Sequence, residues 1–242
     1  MADTLSEPFE ERLQEIEAYL DLLEALERQV QTGPPAIGGA TITAQQQKLL
    51  YSCVFLQLYN LVEATVTWCV SAVCSAAGEQ GRWMPADLTI NLRREWVRSM
   101  TRTHIELNQE NRLDAAVELC EFLIQAKPIF KFAVARRGNW DDHEIRAITS
   151  RLGCELKIST DVLSAIKRPI RDEKGALALI RDLRNRLGHG SLSFSECGDG
   201  VTVPDLRDLK ERTALYLREV VAAFRGYIDA YGFLIPQRRP VT

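Results

Sequence analysis

The segment from about Ala44 to Ala77 is the most apolar in the chain and constrains the fold more than any other. A run of this length is either a membrane span or the central helix of a bundle. Gln57, Asn60, Glu63, Thr67 and Ser71 recur at spacings of three and four, so they form one polar stripe along an otherwise greasy rod. A lipid-facing span would make Glu63 costly. A central bundle helix accommodates the stripe, and the expectation is a soluble bundle with no membrane.

The flanking patterns agree with a bundle. Phe9, Leu13, Ile16, Leu20, Leu23 and Val30 recur with helical spacing and predict an amphipathic helix of roughly 25 residues. Gly33-Pro34-Pro35 ends it, Gly38-Gly39 continues the loop, and Thr43 is placed to cap the second helix. Gly78 and Gly81 close that helix, and Pro85 marks a new start. Leu88 to Thr103 is basic and only weakly periodic. Leu113, Val117, Cys120, Phe122, Ile124 and Phe130 predict another helix, interrupted at Pro128. Asp141 and Glu144 resemble a capping box before a short helix that carries Ile145 and Ile148 and stops at Gly153.

A further helical region is predicted from near Asp172, with Ala176, Ile180, Leu183 and Leu187 as its buried stripe and Gly188 and Gly190 at its end. Ser191 to Val203 reads as a loop with a short extended piece at Val201 and Val203. Pro204 reads as the first position of a last long helix, whose inner face carries Leu209, Thr213, Tyr216, Val220, Ala223, Phe224 and Tyr227. The tail from Pro236 to Thr242 is expected to be loose. The fold class is therefore all-α, an up-and-down helical bundle. Residues 1–242 form one domain, with a less regular insertion of short helices at about 80–160.

Hydrophobic residues make up 46% of the chain and charged residues 26%, the balance of a soluble globular protein. A net charge of −3 argues against a protein that coats DNA, but the charge is uneven. Residues 1–30 carry nine acids against Arg12 and Arg28. From Val162 to Gly190 seven bases face Asp172, Glu173 and Asp182, and Arg93, Arg94, Arg98 and Arg102 form a second basic excess. Such patches bind phosphates or are simply solvated helix faces. The six cysteines lie mostly in apolar helical patterns and include no Cys-x-x-Cys, which fits reduced thiols in a cytoplasmic protein. The acidic N-terminus lacks the features of a signal peptide.

The chemistry concentrates in Ile180-Arg181-Asp182-Leu183-Arg184-Asn185-Arg186-Leu187-Gly188-His189-Gly190. An imidazole, ordinarily titrating near pH ~6.5, exchanges protons at neutral pH. A guanidinium fork suits phosphate oxygens, and an asparagine can orient either group. These parts suffice for RNA cleavage without a metal or cofactor: a base activates the 2′-OH, which attacks the adjacent phosphate, while arginine stabilises the charge on phosphorus. Arg184 and His189 are five residues apart, about 140° around a regular helix. Either the helix unwinds at Gly188 and turns the imidazole back, or a second copy completes the site; both can hold together. A histidine beside glycine can equally be a C-terminal cap that favours the helix dipole.

Arg184-Asn185-x-x-x-His189, with Leu183 before it and Gly190 after it, resembles the signature of the HEPN superfamily, in which four to six residues stand between arginine and histidine. More of the chain is similar to the MAE-type HEPN-like nucleases of prokaryotic toxin–antitoxin and defence loci. The stretches are Phe9-Glu10-Glu11-Arg12, Leu58-Tyr59-Asn60-Leu61-Val62-Glu63-Ala64, Gly138-Asn139-Trp140-Asp141 and Ser193-Phe194-Ser195-Glu196. The resemblance implies an α-helical bundle whose homodimer brings two motifs together across a composite cleft. It also implies a metal-independent endoribonuclease held in check by an antitoxin or other inhibitory protein. Arg184 and His189 are then catalytic and Asn185 assists. Gly188 departs from the pattern, where alanine is common.

Glu63 and Asn60 are the expected supporting residues, with Glu63 pairing with Arg184 and holding it towards the cleft; the alternative is that the stripe packs against other polar core groups. Arg181 and Arg186 are the expected RNA-binding side chains. His104 and His143 are expected to be ordinary surface residues. Two other readings remain: a non-catalytic HEPN adaptor that binds RNA or protein, and a helical scaffold with a solvated arginine cluster. Both Arg184 and His189 favour the nuclease, since an adaptor has no need of the imidazole.

Overall fold

The computed structural model describes residues 5–30, 33–102, 106–130, 132–134 and 138–240. Nine α-helices are described: α1 (Ser6–Val30), α2 (Ala44–Ala77), α3 (Ile90–Met100), α4 (Gln109–Ile124), α5 (Asp142–Leu152), α6 (Thr160–Lys167), α7 (Ala176–Gly188), α8 (Phe194–Cys197) and α9 (Val203–Asp229). Among the described residues the only strands are β1 (Ala36–Ile37) and β2 (Ala40–Thr41), so the fold is an all-α helical bundle with short helices inserted between the long ones. The loop expected at Gly38-Gly39 is instead a two-residue hairpin turn. Ala36 pairs with Thr41 and Ile37 with Ala40, and both glycines take positive φ (57° and 87°), which such a turn requires.

Two compact units make up the chain. One is Met1–Thr65, Asn139–Asp142 and Ile158–Glu219; the other is Val66–Gly138, His143–Lys157 and Val220–Thr242. In the first unit, Phe9, Leu13, Ile16, Leu20, Leu23 and Leu26 of α1 are buried, while Val30 lies outside the core. The outer face of α1 meets α9 through charge: Arg207 reaches Glu17 (2.6 Å), Asp21 (2.6 Å) and Glu24 (2.7 Å), and Arg218 reaches Glu10 (2.9 Å). Part of the acidic N-terminal excess is thus answered by basic residues of a distant helix. Thr43 and Gln46 exchange hydrogen bonds at the start of α2, the cap expected there.

Helix α2 is long and apolar enough to cross a membrane by length and composition, and half of its most apolar window is buried inside the protein. Its expected polar stripe is not buried. Asn60 and Ser71 are exposed, and Gln57, Glu63 and Thr67 are half-buried, because Val54, Leu58, Leu61 and Val62 take the inward positions of the first unit.

Helix α7 begins four residues later than expected. Asp172 and Glu173 sit at positive φ (51° and 54°) in a turn closed by Ile170 N–H to the Lys174 carbonyl (2.9 Å), so they cannot belong to the helix. Helix α6, which the apolar spacing does not predict, precedes this turn. The expected stripe of Ala176, Ile180, Leu183 and Leu187 is buried. The loop expected at Ser191 to Val203 contains α8, closed by a reciprocal Ser193–Glu196 capping box, and Val203 already belongs to α9.

In the second unit α3 is regular despite its weak periodicity, capped by the Thr89 hydroxyl. It buries Glu95 to 1% exposure and surrounds the carboxylate with Arg98 and with Arg151 of α5 at 2.6 Å. Helix α4 ends at Ile124, before Pro128, and Leu113, Val117, Cys120 and Ile124 are exposed. Ile145 and Ile148 of α5 are buried. The tail is held rather than loose up to residue 240: Pro236–Arg238 form a 3₁₀ turn, and Arg238 pairs with Asp87 at 2.8 Å.

Candidate functional site

Tyr59, Glu63, Asn139, Arg184, Asn185 and His189 all belong to the first unit. Tyr59 and Glu63 lie four apart on α2 and so share a face. Opposite them α7 presents Arg184, which follows the fully buried Leu183 and stays 37% exposed. The Arg184 guanidinium carbon lies 4.3 Å from the centre of the Tyr59 ring, within cation–π range. Its Nη1 donates to Asn185 Oδ1 at 2.9 Å, and its Nη2 is 3.7 Å from Glu63 Oε2. That last distance makes a loose ion pair without a hydrogen bond. Glu63 is 41% exposed, so its burial does not demand a partner.

A short segment after Gly138 closes the arrangement. Tyr59 Oη accepts the backbone N–H of Asn139 at 2.8 Å and of Trp140 at 3.4 Å. Asn139 Oδ1 accepts from Asn185 Nδ2 at 2.6 Å. Arginine can only donate, so the oxygen of Asn185 must face Arg184 and its nitrogen must face Asn139. Trp140 is buried, and the Asp141 carboxylate pairs with Arg181. Asn139 stands at φ 108°, a conformation side-chain-bearing residues rarely adopt. Arg136 and Arg137, which precede Gly138 in the sequence, lie outside the described residues.

His189 caps the C-terminus of α7. Its N–H bonds to the Asn185 carbonyl (2.9 Å), Gly190 N–H to Leu187 (3.2 Å) and Ser191 N–H to Arg186 (3.0 Å), with Gly190 at φ 70°. This is a Schellman ending, in which a left-handed glycine satisfies the last carbonyls. The helix therefore does not unwind at Gly188; it stays regular to that residue and turns at Gly190. His189 is exposed, and among the described residues no hydrogen bond or ion pair joins it to Arg184. Five positions along a regular helix set the Cα–Cβ directions of the two residues about 140° apart.

The remaining candidates scatter. Asn60 is exposed and lines a groove of about 290 Å³ with Arg12, Glu15, Tyr19 and Gln57. Arg186 Nη1 is 3.8 Å from Asp182, which also receives Lys174 at 2.8 Å. His143, in the second unit, is a surface residue with 83% of its side chain exposed; His104 lies outside the described residues. In the sequence Tyr59 and Asn139 stand out only as parts of longer stretches of resemblance. No local signal links them to Asn185, because 80 residues separate Tyr59 from Asn139 and 46 separate Asn139 from Asn185. Among the described residues, no three of His, Cys, Asp and Glu gather so as to hold a metal ion.

The chain matches no curated protein and no solved structure. A family model described as HEPN_MAE_28990-like HEPN matches residues 1–233, a span that holds every residue of the site. The chain belongs to that family of the HEPN superfamily.

Proposed function

We propose that the protein is an endoribonuclease of the toxin or defence type, acting on single-stranded RNA without a metal. The carrying observation is the state of Arg184. Its guanidinium is oriented by Tyr59 and Asn185, yet it remains 37% exposed and only loosely engaged by Glu63. Such a group is ready to exchange a weak ion pair for phosphate oxygens. His189, solvent-facing at the helix end, takes the proton from the 2′-OH and returns one to the leaving 5′-oxygen. Arg184 stabilises the charge that builds on phosphorus, and Asn185 orients the guanidinium. The products are a 2′,3′-cyclic phosphate and a free 5′-OH. Glu63 supports the site from α2 as a loose charge partner, while Asn60 faces the separate groove beside α1. Arg186 and, through the donors its pair with Asp141 leaves, Arg181 contact the RNA backbone.

The five-residue step from Arg184 to His189 on one regular helix, about 140° around the axis, supports a homodimer in which each cleft uses side chains from both copies. An inhibitory protein follows from the family reading, and a cytoplasmic setting from the cysteine pattern of the sequence.

The test is incubation of the purified protein with end-labelled single-stranded RNA in EDTA, beside His189→Ala and Arg184→Ala. Cleavage lost in both variants, with cyclic-phosphate ends, is the expected result. Equal cleavage of DNA, which lacks the attacking hydroxyl, overturns the mechanism. Tight RNA or protein binding without cleavage replaces it with a non-catalytic adaptor.

A further inference from the structure

We infer that Asn139 and Tyr59 are positioning residues that set the Arg184 guanidinium through a closed ring of contacts; the inference rests on the nuclease reading above. The ring runs from Arg184 to Asn185 Oδ1 (2.9 Å), from Asn185 Nδ2 to Asn139 Oδ1 (2.6 Å), and from the Asn139 backbone N–H to Tyr59 Oη (2.8 Å). It returns from the Tyr59 ring to the guanidinium at 4.3 Å. Three separate pieces of chain supply the four residues, so no single helix determines the outcome. Tyr59 acts at both ends: its ring supports the cation, and its hydroxyl anchors the segment that carries Asn139.

The backbone of Asn139 supports a positioning role over simple loop anchoring. A conformation at φ 108° suits glycine better than asparagine, and Gly138 lies immediately before it. Anchoring needs only the backbone N–H bonds at residues 139 and 140, the buried Trp140 and the Asp141–Arg181 pair, all of which a glycine at 139 would keep. Among the described residues the side chain adds one interaction, acceptance from Asn185. Strained conformations of this kind persist where the surrounding structure holds them and concentrate at functional sites. Without that acceptor Asn185 is free to rotate, Arg184 loses the oriented oxygen it donates to, and the fork is left with the ring alone. Glu63 at 3.7 Å does not hold its direction.

The experiment compares Asn139→Gly, Asn139→Asp and Tyr59→Phe in the full chain, with His189→Ala as the control on the nuclease reading. Asn139→Gly is expected to keep or raise the melting temperature, leave KM for RNA within about twofold, and lower kcat by about 10- to 100-fold, the usual cost of a slightly misplaced catalytic group. Asn139→Asp keeps an oxygen acceptor for Asn185 and should restore kcat to within a few-fold. Tyr59→Phe keeps the ring and loses the hydroxyl; combined with Asn139→Gly it should add little, because both act through one ring. A wild-type kcat for Asn139→Gly, or an equal loss in the glycine and aspartate variants at unchanged stability, overturns the inference.

A second readout separates this from failure of the nuclease reading. The Nε–H resonance of Arg184, assigned by its loss in Arg184→Ala, should shift and become more mobile in Asn139→Gly and Tyr59→Phe but not in Asn139→Asp. If the wild-type protein does not cut RNA, or His189→Ala cuts normally, that spectrum still decides: an unchanged Arg184 resonance in Asn139→Gly overturns the ring.

Discussion

Arg184 stacks on the Tyr59 ring at 4.3 Å while the nearest carboxylate oxygen, on Glu63, stands off at 3.7 Å. The cation is thus held mainly by a flat face and an amide, with its charge only partly answered. Lysine cannot reproduce a stacked, forked donor. Arg184→Lys is expected to lower kcat by about 10²–10³-fold, close to the effect of alanine. Glu63→Gln removes an exposed pair of the kind contributing at most about 1 kcal/mol, equivalent to about fivefold in rate. Steady-state cleavage and thermal melts of both variants check the pair. Undiminished activity and stability in Glu63→Gln would remove Glu63 from the site.

The end of α7 makes opposite predictions at two neighbouring glycines. A Cβ at Gly188 meets nothing within 4 Å, and the residue is helical. Gly188→Ala is therefore expected to stabilise the protein by about 0.5–1 kcal/mol. Gly190 has equal space but sits at φ 70°, so Gly190→Ala should cost about 1–2 kcal/mol. Urea unfolding of the two variants gives the signs directly.

Glu95 is 1% exposed and shared by Arg98 and Arg151. Removing one partner of a buried pair costs about 3–5 kcal/mol when nothing replaces it. Arg98 remains in Arg151→Ala, so the expected loss is about 2–3 kcal/mol. A change below about 0.5 kcal/mol in denaturant unfolding contradicts this account of α3 and α5.

Burial pushes the thiols of Cys154 and Cys197 up to about 11 and that of Cys69 up to about 12. Folded values above the unfolded one, about 8.5, mean that this stability is complete below that pH and is lost as pH rises through 11 to 12. On the acid side, hydrogen bonding to Lys210 holds Glu17 below its ordinary range; its contribution is present above about pH 4.3 and fades as pH falls through the folded value. The melting temperature should therefore decline at both extremes. At pH 8 a thiol reagent should modify exposed Cys120 first and reach Cys69, Cys154 and Cys197 only on unfolding.

Much of the fold was written in local pattern. The stripe of α1, the Thr43 start of α2 and the glycine ending of α7 each depend on residues within a few positions, so spacing alone reveals them. The turn before α7 was not legible, since left-handed backbone at Asp172 and Glu173 carries no strong residue signature. Nor was the exposure of the α2 stripe, because the partners of a helix decide which of its faces is inward.

The site divides in the same way. The sequence by itself determined that Arg184, Asn185 and His189 lie together at the end of an amphipathic helix, because the helical repeat and Gly190 are short-range properties. Only the tertiary structure decided where the guanidinium points. Its direction depends on Tyr59 and Asn139, far away in sequence, which meet Arg184 and Asn185 through contacts that no local propensity encodes.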